Sequence, residues 1–114
     1  MPVIYKLAPA KLWQEAEQTG KFPGAPVDLA DGFIHFSTAE QAPETAAKHF
    51  SGQTGLVIIA VRSEALGDAL KWEPSRGGAL FPHLYRPLLV SEIETVSPLP
   101  LGPDGLHIFG GVLS

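Results

Sequence analysis

The segment LVIIAVR, from Leu56 to Arg62, constrains the fold more than any other part of the chain. It is continuously apolar up to the arginine, rich in β-branched residues, and bounded by the turn signals SGQTG before it and Ser63 to Asp68 after it. Such a run reads as a central strand buried on both faces. It is also far shorter than the roughly 20 apolar residues that a membrane-spanning helix needs. The whole sequence is 114 residues long. Halves of that length would be too small to bury cores of their own, so a single domain over residues 1–114 is expected.

Other segments supply the remaining elements. Val3 to Leu7 alternates in a way that suits a first strand. Pro9 fits the first turn of a helix, Leu12, Trp13 and Ala16 recur at helical spacing, and Gly20 is a C-terminal stop. KFPGAPVDLADG, with two prolines and two glycines, reads as an ordered loop. FIHFS then forms a short strand, and Ser37 with Glu40 has the form of a capping box. Pro43 is unfavourable inside a helix, so one turn over Thr38 to Gln41 is expected, followed by a helix from near Pro43 to near Phe50. Leu70 to Glu73 makes a further strand and PSRGG a loop. Leu80 to Val96 is strand-rich but interrupted by Pro82 and Pro87, which belong at an edge, a strand start or a bulge. The order predicts an α+β fold, a compact mixed or split β-sheet with two main helices. DGFIHF and DGLHIF, at residues 31–36 and 104–109, echo each other too weakly to indicate a repeat.

Several function classes are excluded by composition. There is no cysteine, hence no disulfide, thiolate nucleophile or cysteine-ligated metal. The net charge is −4, and the eight lysines and arginines are scattered, so no basic run tracks a nucleic-acid backbone. A few well-placed cations can still hold one nucleotide or one RNA end. No signal-peptide pattern opens the sequence, and a cytoplasmic protein without membrane association is expected. GxGxxG and Walker A sequences are absent. His35, His49, His83 and His107 lack the short spacing of metal ligands, and no metal site is expected.

Two histidine segments are left as carriers of chemistry. In GFIHFS, extended geometry puts Phe33, His35 and Ser37 on one face. In LFPHLYR it puts Phe81, His83 and Tyr85 together, with Arg86 opposite or splayed by Pro87. Imidazole can give or take a proton near neutrality, phenol donates a directed hydrogen bond, and guanidinium forks onto phosphate or carboxylate. This set suits a phosphorylated or otherwise anionic small molecule. The plainer alternatives are a hydrogen-bonded core histidine at His35, a helix cap at Ser37, and an amphipathic edge strand around His83 whose polar tips face water. Glu73, ending a strand just before the Arg76 loop, is the best candidate carboxylate for the same cleft. The RGG turn at Arg76 to Gly78 offers backbone N–H groups to a phosphate, although glycine pairs usually only make turns.

The run from Trp13 through DGFIHFSTAEQ to LFPHLYRPL resembles the uncharacterised bacterial and plant family known as domain of unknown function 952, over nearly the whole chain. The resemblance implies a fold similar to the ADP-ribosyltransferase and RNA 2′-phosphotransferase superfamily. In the phosphotransferases an IHLS-like strand lines the site, and IHFS, with His35 and Ser37, looks like its counterpart. Where those relatives carry a histidine on the first strand to hold the nicotinamide ribose, this chain has Tyr5 and Lys6. The expectation is an enzyme acting on a nucleotide-like or phosphorylated small molecule, with NAD as a candidate cofactor. His35 and His83 would be its catalytic groups, and Ser37, Tyr85, Arg86, Lys6, Tyr5 and Glu73 would bind the substrate. A non-catalytic binding module on the same fold, and a purely structural domain, are the alternatives.

Overall fold

The computed structural model describes residues 2–113, with Arg76 described by its backbone alone. Strand β5, Leu56–Arg62, lies between β1, Val3–Pro9, and β9, Ile93–Leu99, in a four-stranded sheet whose other edge is β4, Ser37–Thr38. Its continuous apolarity has a direct cause. Val57, Ile59 and Val61 enter one core with Ile4, Trp13 and Phe36, while Leu56, Ile58 and Ala60 enter a second with Tyr5, Leu7 and Ala46. Alternate side chains leave opposite faces of a strand, and here both faces are covered.

Helix α1, Ala10–Thr19, covers the first core through Trp13 and Ala16. Pro9 precedes the first turn, where φ −58° and ψ 136° keep it extended. Gly20 ends the helix at φ 84°, its N–H donating to the Ala16 carbonyl. That left-handed conformation is one that glycine adopts without steric cost. Helix α3, Ala42–His49, starts beside Pro43 and stops before Phe50. The turn ahead of it is fastened one residue later than the Ser37–Glu40 pattern predicts. Thr38 N–H donates to Gln41 Oε1 at 3.0 Å and Gln41 N–H to Thr38 Oγ1 at 3.2 Å. These are the two reciprocal bonds of a capping box, and they leave the Ser37 hydroxyl for Thr45, 2.8 Å away.

Three expectations are corrected. KFPGAPVDLADG is not a loop: it contains β2, Lys21–Phe22, paired with β8, Leu88–Leu89, and a third helix α2, Pro26–Asp31. Proline stands at the first helical position of α2 and Gly32 closes it at φ 85°, but six residues are too few to show a helical period. The sheet is not mixed, because every strand pairing among the described residues is antiparallel. Strands β4 and β5 both enter opposite to β1, and hydrophobic period carries no information on direction.

FIHFS, finally, is two strands. Strand β3, Ile34–His35, pairs with β7, Leu80–Leu84, in a three-stranded sheet completed by β6, Leu70–Pro74. Ser37 instead pairs with Tyr5 of β1. The break at Phe36 follows from Pro82, which occupies the next position opposite. Phe36 N–H still donates to the Pro82 carbonyl at 3.0 Å, but Pro82 has no N–H to return, so the ladder ends and the chain crosses to the other sheet. Pro82 is thus tolerated in the central strand of its sheet because one flank is locally an edge. Pro87 sits just before β8, at a strand start.

Candidate functional site

The crossing at Phe36 places a cavity of about 490 Å³ between the two sheets. His35 and His83 are direct cross-strand partners, with ring centroids 5.6 Å apart, and both line it. Ser37 lines it from the four-stranded sheet, so the two histidine segments meet in one cleft even though His35 and Ser37 do not share a strand face. Tyr5, Lys6 and Leu7 form the β1 side, and Phe36, Phe50 and Phe81 give most of the remaining wall an apolar character. Phe33 braces the polar end. Its ring stacks on His83 at 4.1 Å and packs against His35 at 4.6 Å and Tyr85 at 5.2 Å.

Behind His35 stands Asp28, a carboxylate only 2% exposed. It accepts four hydrogen bonds: from Lys6 Nζ at 2.9 Å, Ala25 N at 2.7 Å, His35 N at 3.1 Å and His35 Nδ1 at 2.6 Å. Three of these reach Oδ1 and one Oδ2, with Lys6 Nζ also 2.8 Å from Oδ2, so donors surround both oxygens. Burial alone would push its pKa up, but the hydrogen bond from His35 and the charge and hydrogen bond of Lys6 outweigh that and hold it at about 2. Lys6, 4% exposed, is also held below its ordinary value, but here burial is the cause: it lowers the pKa against the opposing pull of Asp28. Close approach of the chain makes this possible, since a β-carbon at Gly24, where φ is 121°, would lie 2.7 Å from Asp28 Cβ. The second nitrogen of His35, Nε2, is 2.9 Å from Asp31 Oδ2, a carboxylate 48% exposed at the end of α2.

His83 is held differently. Its Nδ1 lies 2.8 Å from Glu73 Oε1, which also accepts the Tyr85 hydroxyl at 2.6 Å. These two bonds, Tyr85 first, lower the Glu73 pKa, and the same bond raises that of Tyr85. Register explains the convergence: β6 runs antiparallel to β7 with Glu73 opposite Phe81 and Lys71 opposite His83. No hydrogen bond to Nε2 of His83 is found among the described residues. Tyr85 and Glu73 support His83 from behind and do not line the cavity.

Arg86 does not reach the cleft. It pairs with Glu92 through its two terminal guanidinium nitrogens, at 2.9 and 2.7 Å, and donates to the Leu66 carbonyl. The mutual bonds raise the pKa of Arg86 and lower that of Glu92. Arg86 borders a separate hollow of about 190 Å³ on the far side of Phe33. The predicted anion turn is a single 3-10 turn over Arg76–Gly78 whose Gly78 N–H donates to the Ser75 carbonyl at 2.9 Å, and the Arg76 side chain lies outside the described residues. His107 does not line the cavity either, and its Nε2 lies 2.7 Å from the Gln53 carbonyl oxygen.

Asp28, Asp31 and Thr45 are the site residues that sequence reasoning missed, and Phe33 it places beside His35 without a role. Their signals were faint: Asp28 sits three residues into a six-residue helix, and Asp31 precedes His35 by four across a turn. Among the described residues no cluster of His, Asp and Glu could hold a metal ion. The residues also do not fit a dinucleotide such as NAD. Lys6 and Arg86, the two described cations expected to bind the substrate, are both spent on carboxylates.

A family model described as a protein of unknown function, DUF952, matches residues 7–96. The structure is similar to the crystal structure of protein CC0527 from Caulobacter crescentus, at 57% identity and a TM-score of 0.92, with 95% of each chain covered. It is likewise similar to the solution NMR structure of that protein, at 56% identity and a TM-score of 0.89, covering 100% of this chain and 98% of that one. No curated protein matches. No helix among the described residues is long and apolar enough to cross a membrane.

Proposed function

The chain belongs to the DUF952 family of proteins of unknown function, so its activity must be read from the cavity, and we propose that it is an enzyme acting by proton transfer on a small nucleotide-like molecule. One observation carries this reading: His83 opens on the cavity with a carboxylate fixed at its far nitrogen. With Nδ1–H donating to Glu73, Nε2 presents its lone pair to whatever enters. Such a pair makes a general base, and the imidazolium that forms is stabilised by the carboxylate behind it. Tyr85 fixes the other side of Glu73 and so its orientation. The apolar wall of Phe36, Phe50 and Phe81 suits a flat ring, and the hydroxyls of Ser37 and Thr45 can orient a polar substituent. Likeness of IHFS to the IHLS-like strand of RNA 2′-phosphotransferases supports a relation of the fold to that superfamily, although fold alone transfers no activity.

A second reading, a binding module without turnover, is favoured by one specific contact. Both ring nitrogens of His35 face carboxylates, which suits a group that shapes the cavity rather than one that shuttles protons.

A thermal-shift screen with nucleosides, phosphorylated nucleosides, ADP-ribose, NAD and short RNA ends, followed by assay of each hit for conversion, tests both. Tight binding raises the melting temperature by mass action. Conversion of a hit that His83→Gln abolishes while binding persists supports the enzyme. A hit that stays unconverted, with His35→Ala changing affinity alone, selects the binder. No shift with any of these ligands overturns the nucleotide-like reading.

A further inference from the structure

The charges that face the cavity are already matched inside the protein, and the match is uneven. Lys6 contributes a cation and lies 2.9 and 2.8 Å from the two oxygens of Asp28. His35 has a carboxylate at each nitrogen, and His83 has Glu73 at Nδ1. Three carboxylates, Asp28, Asp31 and Glu73, thus surround one lysine and two imidazoles. His49 stands at the exposed rim. Asp31 is the half-exposed member of the set and itself lines the cavity.

We infer that the polar end of this cavity takes a neutral or cationic hydrogen-bond donor, an amine or hydroxyl, and excludes phosphate and carboxylate, with Asp31 as the residue that sets this preference. The inference rests on the reading of the cleft as a small-molecule site and names the class of group it selects. A phosphate entering between His35 and His83 meets no unpaired cation among the described side chains. It has to separate Lys6 from Asp28 or stand beside Asp31, and either course leaves like charges close together with little water between them. An amine or hydroxyl instead donates to Asp31 or to Nε2 of His83 without displacing any contact. This reverses the expectation of an anionic molecule bound by Lys6 and Arg86, since each is an internal partner of a carboxylate. It also separates the ring of a nucleotide-like ligand, which the apolar wall accepts, from its phosphate, which must point outward to solvent.

Three probes with one ring and different charge test this: benzylamine, benzyl alcohol and benzoate, titrated against the isotope-labelled full chain by NMR at about pH 8, where an exposed imidazole adds no charge. Backbone and imidazole signals of His35, His83, Ser37 and Asp31 should move with benzylamine and benzyl alcohol and stay still with benzoate. Asp31→Asn, a change at an exposed helix end that the fold tolerates, should weaken benzylamine by about fivefold to tenfold, leave benzyl alcohol within about twofold, and let benzoate bind. Benzoate binding the unaltered protein as well as benzylamine, or Asp31→Asn leaving the ranking unchanged, overturns the charge preference while the cleft reading stands. Failure of all three probes to move any cavity signal overturns the cleft as a small-molecule site, and the charge preference with it.

Discussion

His35 and His83 face each other across two antiparallel strands, yet they are held in opposite ways. The His35 ring leans on Asp28, a carboxylate out of water with four donors, and its outer nitrogen is covered by Asp31. The His83 ring leans on Glu73, a carboxylate at the surface that it shares with Tyr85, and none of the described residues bonds its Nε2. The difference teaches that one residue type in one register can serve two ends. A buried carboxylate with four donors ties the first histidine into the scaffold, whereas the second, on the proposed reading, is the one that exchanges a proton with a ligand.

The comparison is most severely tested at Asp28. Asp28→Ala strands the Lys6 ammonium in the core and should cost about 3–5 kcal/mol in urea unfolding, the range for breaking a buried ion pair. Glu73→Gln should leave the urea midpoint unchanged and instead abolish any turnover the screen detects. If both variants were equally stable, the two histidines would not differ as described.

Acid titration gives the next largest effect. The folded pKa of Asp28 lies below its unfolded value, so its contribution is complete above about pH 4 and disappears as pH falls through about 2. A shift of that size corresponds to about 2 kcal/mol. Asp28→Asn should therefore lose less stability than the unaltered protein between about pH 4 and 2, a difference visible in thermal melts across that range. Matching acid limbs would show that the carboxylate is not held as the geometry indicates.

Arg86→Ala sharpens the boundary of the site. Its pair with Glu92 is partly exposed and should be worth at most about 1 kcal/mol, and ligand affinity in the cavity should not change. A large loss of affinity would mean that the hollow beyond Phe33 communicates with the cleft. The smallest effect is local. Tyr85→Phe removes the larger of the two bonds that lower the Glu73 pKa, so carboxyl NMR should show Glu73 titrating at higher pH, with the melting temperature nearly unmoved.

Much of the fold was legible because burial writes itself into the period of the sequence. The run at Leu56–Arg62 declares a strand covered on both faces, and Gly20 and Pro43 mark where helices end and begin. The pairing of His35 with His83 was legible only as two polar groups of the right kind, and their convergence on one cleft follows from strand register. What stayed hidden depended on contacts distant in sequence. Nothing about Lys6 in VIYKL announces a partner 22 residues on, so its charge looked available to a ligand when it is consumed by Asp28. Arg86 misled for the same reason. Helix α2 was hidden by its brevity, and with it the carboxylate that organises half the site.

The proline opposite Phe36 has one further consequence. Because Pro82 cannot complete the ladder, the two sheets are joined at a seam, stitched by the Phe36 N–H on the Pro82 carbonyl, by the Gln41 amide on the Leu80 carbonyl at 2.8 Å, and by Asp28 reaching from Lys6 on one sheet to His35 on the other. Beside these polar stitches the seam holds a shared core, where Ile34 and Leu84 of the three-stranded sheet meet Ile4 and Ile59 of the larger one, and the cavity lies along it. A molecule in the cavity touches both sides of it. Occupancy would then register as a change in how the protein comes apart, with amide protons of β3 and β7 exchanging as slowly as those of β5 once the cleft is filled.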